Sequence, residues 1–378
     1  DIVVTAGAGT GKTRTLVARY LSLVAEGLPL RSIVAITFTR KAAREMRNRV
    51  RDEIREFLER PDLSGVERIR WQNLYAELDA ARIGTIDSLC TEFLRGHPAE
   101  AGVDPRFEVL DEGQGNILLR RVIDEALAWA ADRPDLVGLF ALLGEGMLRS
   151  TLETMIGRRL DVKACLADLP DPLWPVWEAR LLQPVREFID DAGIQADFEE
   201  LLAVRDEGAL AQAEAAGDKL AAPLHRLLAC WEELAGYREQ GDWAAILAGL
   251  PSLRKDMSSV GQVKNWQSHD PRPVIAELRK RYDAEVKDWL GKGIDLAHER
   301  PLAEAVPALG SLFAHAAAGY ERLKGERQAL EFDDLEAGAL ALLQKNAAVR
   351  ARWQDEIQAL LVDEFQDTNG RQRDLVTL

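Results

Sequence analysis

Two groups of residues, one near each end of the 378-residue chain, have the types and spacing that phosphate chemistry requires. Near the start, Thr5-Ala6-Gly7-Ala8-Gly9-Thr10-Gly11-Lys12-Thr13 is a glycine-rich run that closes on Lys-Thr. Glycines let successive backbone N–H groups converge on phosphate oxygens, Lys12 supplies a point charge to the β/γ-phosphates, and the Thr13 hydroxyl can ligate Mg²⁺. Near the end, the apolar run Gln358-Ala359-Leu360-Leu361-Val362 terminates in Asp363-Glu364. There the first carboxylate holds Mg²⁺ directly or through water, and the second orients and deprotonates an attacking water. Adjacent residues at a strand end point in different directions, which suits this division. The two groups together predict hydrolysis of a nucleoside triphosphate rather than binding alone. One departure is visible: Ala6 stands where the strict loop pattern has Gly.

The elements that must position these groups can be read around them. Ile2-Val3-Val4 precedes the loop as a buried strand, and Thr15 to Val24 follows with apolar residues at helical spacing. Strand, glycine-rich loop and helix are the context a phosphate loop requires. That helix should stop near Gly27, before Pro29. Ser32 to Phe38 has the continuous apolarity of a strand covered on both faces, and Arg82 to Ile86 reads as a third strand, so parallel strands with crossover helices are expected. Asp87-Ser88 is a natural N-cap for the helix beginning at Leu89. His97 to Pro105 reads as a linker.

Between the second and third strands, Arg40 to about Glu59 is a helix with segregated charge. Ala43, Met46, Val50, Ile54 and Phe57 form its apolar stripe, and Arg40, Arg44, Arg47, Arg51 and Arg55 form a basic one. Two readings of the basic stripe stand: a solvated face, or contact with phosphates. From Phe107 to Gly325 strand signals vanish and Ala, Leu, Glu and Arg dominate. Tryptophans Trp129, Trp174, Trp177, Trp231, Trp243, Trp266 and Trp289 lie here without shared spacing, which favours helix packing over a base-stacking platform. Ser252 to Pro273 is polar and reads as an exposed loop region.

Length favours two lobes. The formal charge of -15 argues against a chain that coats nucleic acid with its whole surface, so any such contact must be local. Three scattered cysteines, Cys90, Cys165 and Cys230, lack metal-ligand spacing and fit a reducing, cytoplasmic location. No apolar run has membrane-spanning length. Residue 1 is Asp and the first strand starts at once, so the expectation is that both ends have been cut.

Asp363-Glu364-Phe365-Gln366-Asp367-Thr368-Asn369 resembles motif II of the UvrD/RecB-type superfamily 1 DNA helicases. Ala6 to Thr13 matches their motif I, including the Ala. Ile36 to Met46 is similar to motif Ia, Gly84 to Cys90 to the motif after it, and Leu330 to Leu335 to a segment shortly before motif II. The resemblance implies an α/β fold: a RecA-like P-loop NTPase parallel sheet interrupted by a large all-helical inserted subdomain. Its expected divisions are residues 1–106 and 326–378 for the motor domain and 107–325 for the insert. The size of that insert is more like the AddA or RecB subunits of helicase-nucleases than the smaller repair helicases.

Roles follow by the same resemblance. Ala6, Gly7, Ala8, Gly9, Thr10, Gly11, Lys12 and Thr13 would bind ATP. Thr13 and Asp363 would hold Mg²⁺, Glu364 would be the general base, and Gln366 would sense the γ-phosphate. Phe38, Thr39, Arg40 and Thr85 would touch single-stranded DNA. Phe38 ends a parallel strand, where a ring can stack on a base, although core packing is the other reading of it. Asp87 departs from the family, which usually has His there. The function implied is an ATP-dependent DNA helicase or translocase, 3′ to 5′, in repair or recombination, acting on single strands and duplex ends with a helicase-nuclease partner subunit. The upstream adenine-reading glutamine segment and the later motifs are missing from these residues, so weak ATP binding and negligible turnover are expected of them alone. The alternative is a P-loop ATPase that serves as an interaction module and unwinds nothing.

Overall fold

A computed structural model describes residues 11–258, 260–266 and 269–378. The expected first strand, Ile2 to Val4, and the loop residues Ala6 to Thr10 lie outside the described residues. The elements run in order as α1 (Lys12–Ala25), β1 (Ile33–Ile36), α2 (Arg40–Leu58), α3 (Gly65–Glu77), β2 (Arg82–Gly84), α4 (Ile86–Gly96), α5 (Pro98–Ala101), β3 (Glu108–Val109) and α6 (Glu112–Ala131). There follow α7 (Gly138–Gly157), α8 (Arg159–Ala167), α9 (Trp174–Asp190), α10 (Ala192–Asp206), α11 (Ala209–Ala215), α12 (Ala221–Gln240), α13 (Trp243–Asp256), α14 (Arg272–Glu285), α15 (Lys287–Leu290) and α16 (Leu296–Glu326). The chain closes with β4 (Ala329–Leu330), α17 (Phe332–Lys345), α18 (Ala347–Glu356), β5 (Ala359–Val362) and α19 (Gly370–Thr377). It is mostly helical, with a small parallel sheet. By compactness the chain divides into residues 1–122 with 318–378, and residues 123–317.

In the first unit, the sheet order is β2-β1-β5, all parallel. Side chains alternate across a pleat, so consecutive residues serve opposite cores. Val34, Ile36, Leu360 and Val362 pack with α4, α17 and the Trp353 ring of α18. Ile33, Ala35, Ile83, Ala359 and Leu361 pack on the other side with α1, α2 and α3. A strand that must satisfy two cores cannot alternate apolar with polar, which is why β1 reads as an unbroken apolar run.

Several boundaries differ from the sequence reading. The second strand ends at Ile36 rather than Phe38, because the Thr37 hydroxyl donates to the Thr39 carbonyl (3.1 Å) and Thr39 already caps α2. His97 to Pro105 is no linker: Pro98 starts the short α5, Gly102 ends it in the left-handed region (φ 66°), and His97 is buried against the Trp353 ring. Strand structure also persists past Phe107, since β3 pairs in parallel with β4.

The second unit is helical. Its core gathers Phe188, Phe198, Leu227, Trp231, Leu250, Trp266 and Tyr282 among others, and the Phe198 and Trp231 rings stack at 3.8 Å. Trp231 and Trp266 therefore do the packing expected of them. The 252–273 region is corrected from an exposed loop. Trp266 is fully buried, and Asp218 accepts from the Gln262 N–H (2.9 Å) and the Asn265 amide (2.8 Å), pinning the segment from below. No helix among the described residues is long and apolar enough to cross a membrane.

Asp191 shows how this unit is tied together and gives a pH test. It caps α10 through the N–H groups of Gly193 and Ile194, and it accepts from Arg281 of α14 at 2.9 Å. Arg281, with those amides, pulls its carboxyl down from 3.8 to about 2. A depressed carboxyl stabilises the fold above its unfolded value and loses that contribution as pH falls through its folded one. Asp191→Asn keeps the capping oxygen but not the charge. Its thermal midpoint should lie below wild type near neutral pH, with the gap closing between about pH 4 and about pH 2. A gap independent of pH would show that the charge is immaterial.

Candidate functional site

The α1 helix begins at a backbone bend that only glycine adopts freely: Gly11, its N-cap, has φ 88°. No side chain caps this end and no acid lies in its first turn. The first N–H groups of α1 are thus available, and the dipole favours an anion there. Lys12 opens the helix and Thr13 follows, half-buried.

From the far end of the sequence, β5 delivers the acids. The Asp363 N–H donates to the Ile36 carbonyl at 2.8 Å, extending the β1–β5 ladder one step beyond the strand. Glu364 then takes the left-handed conformation (φ 54°, ψ 43°), uncommon for a residue with a side chain. This reversal sends neighbouring carboxyl groups into different surroundings. Glu364 Oε2 accepts from Lys12 Nζ at 3.1 Å and from the Gln366 amide. Gln366 donation, then Lys12, holds the Glu364 carboxyl below the usual carboxylate range. Burial, then the charge of Glu364, pushes that of Asp363 up.

Of the residues singled out from sequence, Lys12, Glu364 and Gln366 are therefore in direct contact across 352 positions of chain. Thr13 and Asp363 offer a hydroxyl and a carboxylate, and no group of three or more His, Cys, Asp or Glu suited to a metal occurs among the described residues. That sparse oxygen set fits Mg²⁺, which keeps several waters and phosphate oxygens in its shell and takes one or two protein carboxylates.

The residues expected at DNA lie at the carboxyl ends of β1 and β2, the same edge of the sheet. Phe38 is 63% exposed, which removes the core-packing reading. Thr39 Oγ1 accepts from the Ala42 N–H (3.0 Å) as the α2 cap, and Arg40 is exposed on its first turn. Thr85 is buried, its hydroxyl paired with that of Ser88 at 3.1 Å.

The expected cap at Asp87 is corrected. Helix α4 starts at Ile86, with the extended Thr85 as N-cap, so Asp87 sits inside the first turn. Burial and then Glu336 push its carboxyl up, while Arg40 opposes them.

Sequence reasoning missed Glu336. It sits in α17 at 5% exposure and accepts from Asn369 Nδ2 at 3.0 Å and from the Gln372 amide. The available signal was an acid among the apolar positions Leu335, Ala339, Leu342 and Leu343. It also missed Lys324, buried beside Asp334 and, at 3.1 Å, Glu321. Asp334 further closes a capping box with Glu331. The Leu330 to Leu335 segment is accordingly scaffold in this structure.

The basic stripe of α2 divides. Arg47 donates to the Ile83 carbonyl at 2.7 Å, Arg51 to Asp79 at 2.8 Å, and Arg55 pairs with Asp52 at 3.2 Å. Arg40 and Arg44 are exposed and make no side-chain hydrogen bond among the described residues. Arg47→Ala should destabilise by about 1.5–3 kcal/mol, the range for a hydrogen bond to a charged group. Arg44→Ala should stay within about 0.5 kcal/mol of wild type. Chemical denaturation of both variants checks this, and equal stabilities would return Arg47 to the solvated face.

The family model described as the UvrD/REP helicase N-terminal domain matches residues 1–378. Three proteins that share one name, as the AddA-type subunits of an ATP-dependent helicase/nuclease, are similar to the chain over its whole length. That of Levilactobacillus brevis is 28% identical over 419 residues, covering 100% of this chain and 32% of the relative. That of Pelotomaculum thermopropionicum is 27% identical over 423 residues, with 100% and 32% covered. That of Lactobacillus gasseri is 26% identical over 410 residues, with 100% and 33% covered. The chain spans about a third of the length of these curated relatives.

Proposed function

The chain belongs to the UvrD/REP helicase family, whose N-terminal domain model it matches throughout, and from that premise we propose that it is the ATP-binding part of a DNA helicase. The whole protein would act in repair or recombination, moving 3′ to 5′ on single strands. Its first unit would be a RecA-like motor domain, and the helical 107–325 segment an inserted accessory subdomain. The relatives, by name subunits of a helicase/nuclease, support a place beside a partner chain in such an assembly.

The observation that carries this reading is the contact of Lys12 with Glu364 at 3.1 Å. Lys12 and the N-terminus of α1 would hold the β/γ-phosphates, and Thr13 and Asp363 would hold Mg²⁺. Bound Mg²⁺ neutralises charge on the phosphate oxygens. The phosphates compete with Glu364 for Lys12. Once they take it, Glu364 retains the Gln366 donor and faces solvent as a base. It accepts a proton from water as the water oxygen bonds to the γ-phosphorus and the bond to the bridging oxygen breaks, releasing ADP. Gln366, bonded to that base, is placed to register the γ-phosphate. At the same sheet edge, exposed Phe38 would stack on a base while Arg40 meets a phosphate. Turnover also needs cations to stabilise the transition state, which the resemblance assigns to later motifs, so these residues alone should hydrolyse ATP negligibly.

Glu364→Gln in the protein that contains this chain tests the chemistry. DNA-stimulated hydrolysis should fall by about 10²–10⁴-fold, the usual worth of a general base, with ATP binding retained. A variant that turns over ATP at the wild-type rate would leave only an ATP-binding interaction module. Arg40→Ala tests the DNA edge. It should weaken single-strand binding and lower the slope of log K against log salt by about 0.7, one phosphate's worth; an unchanged slope removes Arg40 from the interface.

A further inference from the structure

Glu336 is a carboxylate at 5% exposure in the apolar face of α17, and the chemistry assigned above makes no use of it. Burying such a group is costly unless its oxygens are hydrogen-bonded. Both are, and the two donors are informative. Asn369 and Gln372 belong to the segment that leaves Glu364 and Gln366: Asn369 ends the Asp363 to Asn369 stretch, and Gln372 lies one turn into α19.

The donors cannot turn away. Asn369 Oδ1 is committed to the Gln372 N–H at 2.8 Å, and Gln372 Oε1 to the Asn369 N–H at 3.2 Å, the two halves of a capping box. With both amide oxygens used, both amide NH₂ groups must face Glu336 (3.0 Å from Asn369). A carboxylate is the side chain that accepts at both oxygens and donates at neither. Helix α17 packs on α4 as well as α19, and Leu335 and Ala339, on either side of Glu336, share a core with Cys90 and Phe93 of α4.

We propose that Glu336 is a positioning residue for hydrolysis: by receiving both amides of the Asn369–Gln372 cap it clamps the downstream end of the Glu364–Gln366 turn onto α17. The upstream end is already fixed by the Asp363 bond to β1. Between these anchors the backbone crosses the left-handed Glu364, and Phe365 is exposed. The turn thus has no packed core of its own and depends on its two ends. The burial-raised carboxyl of Asp87, which faces Glu336, agrees with a packed and crowded location.

This inference rests on the hydrolytic reading of Glu364, and Glu336→Gln tests it in the whole protein. The substitution preserves shape but sets an NH₂ against one of the two donors. Amide exchange over residues 365–372 should accelerate by about tenfold while the amides of α17 stay protected, the signature of local rather than global opening. In steady state, kcat for DNA-stimulated hydrolysis should fall by about tenfold with KM for ATP within about twofold, as for a group that orients the reacting residues. Unchanged exchange overturns the clamp. Faster exchange in α17 too makes Glu336 a general packing residue. Faster local exchange with unchanged kcat removes it from hydrolysis. Should the variant fail to fold, Asn369→Asp makes the same test from the exposed side of the clamp, keeping the cap oxygen but opposing two carboxylates. Glu364→Gln run in parallel separates the two ideas: full turnover there defeats the hydrolytic reading, while the exchange result still decides the clamp.

Discussion

The register of β5 on β1 is the constraint from which the site follows. Ile33 pairs with Ala359 and Ile36 with Val362, and the ladder continues through the Asp363 N–H to the Ile36 carbonyl. A slip of one residue would exchange Leu360 and Val362 with Ala359 and Leu361 between the two cores. It would also move the acids off the edge where Lys12 waits. Because the cores on the two faces are built from different helices, the apolar side chains that stabilise the sheet also fix where the carboxylates end. Fold stability and site geometry here are one requirement.

At that edge, the chemistry comes from a single backbone reversal. Without the left-handed Glu364, two adjacent carboxyl groups leaving a strand would share one environment or fall on opposite faces of the sheet. With it, Asp363 stays half-buried and its carboxyl is raised, while Glu364 turns to Lys12 and Gln366 and its carboxyl is lowered. Environments that push neighbouring acids apart let them take separate tasks. The left-handed conformation costs on the order of 1 kcal/mol or more for a residue with a side chain, and the anchors on both sides of the turn offset it.

Much of this was legible in the sequence because it rests on short-range rules. Gly11-Lys12-Thr13 ahead of an amphipathic helix, the unbroken apolarity of Ile33 to Ile36, and Asp363-Glu364 after Ala359 to Val362 are local patterns with local causes. What escaped depended on partners remote in the chain. Arg47, Arg51 and Arg55 formed one stripe with Arg40 and Arg44 until Ile83, Asp79 and Asp52 claimed them. Asp87 had the composition of a cap, yet the cap went to Thr85, whose extended backbone immediately follows β2. The 252–273 region looked exposed because Asp218, which holds it, is more than forty positions upstream. Glu336 gave no local sign of its two amide donors.

The same distinction bears on how the edge could respond to a nucleotide. A ligand shifts a structure only by as much as it contacts two states differently. Strand β1 cannot supply such states, since Ile33 to Ile36 are buried in cores on both faces and close packing resists small displacements. The residues with freedom are those just past the strand ends, where Phe38 and Phe365 stand exposed and Lys12 and Glu364 are each about one-third exposed. Exchange of Lys12 from Glu364 to a phosphate would therefore be felt first by the Glu364–Gln366 turn, and only through its anchors by anything else. Of those anchors, the bond to Ile36 leads to β1 and hence to Phe38 two residues on. The nucleotide edge and the proposed DNA edge thus share one rigid strand, with the compliant residues placed at its end.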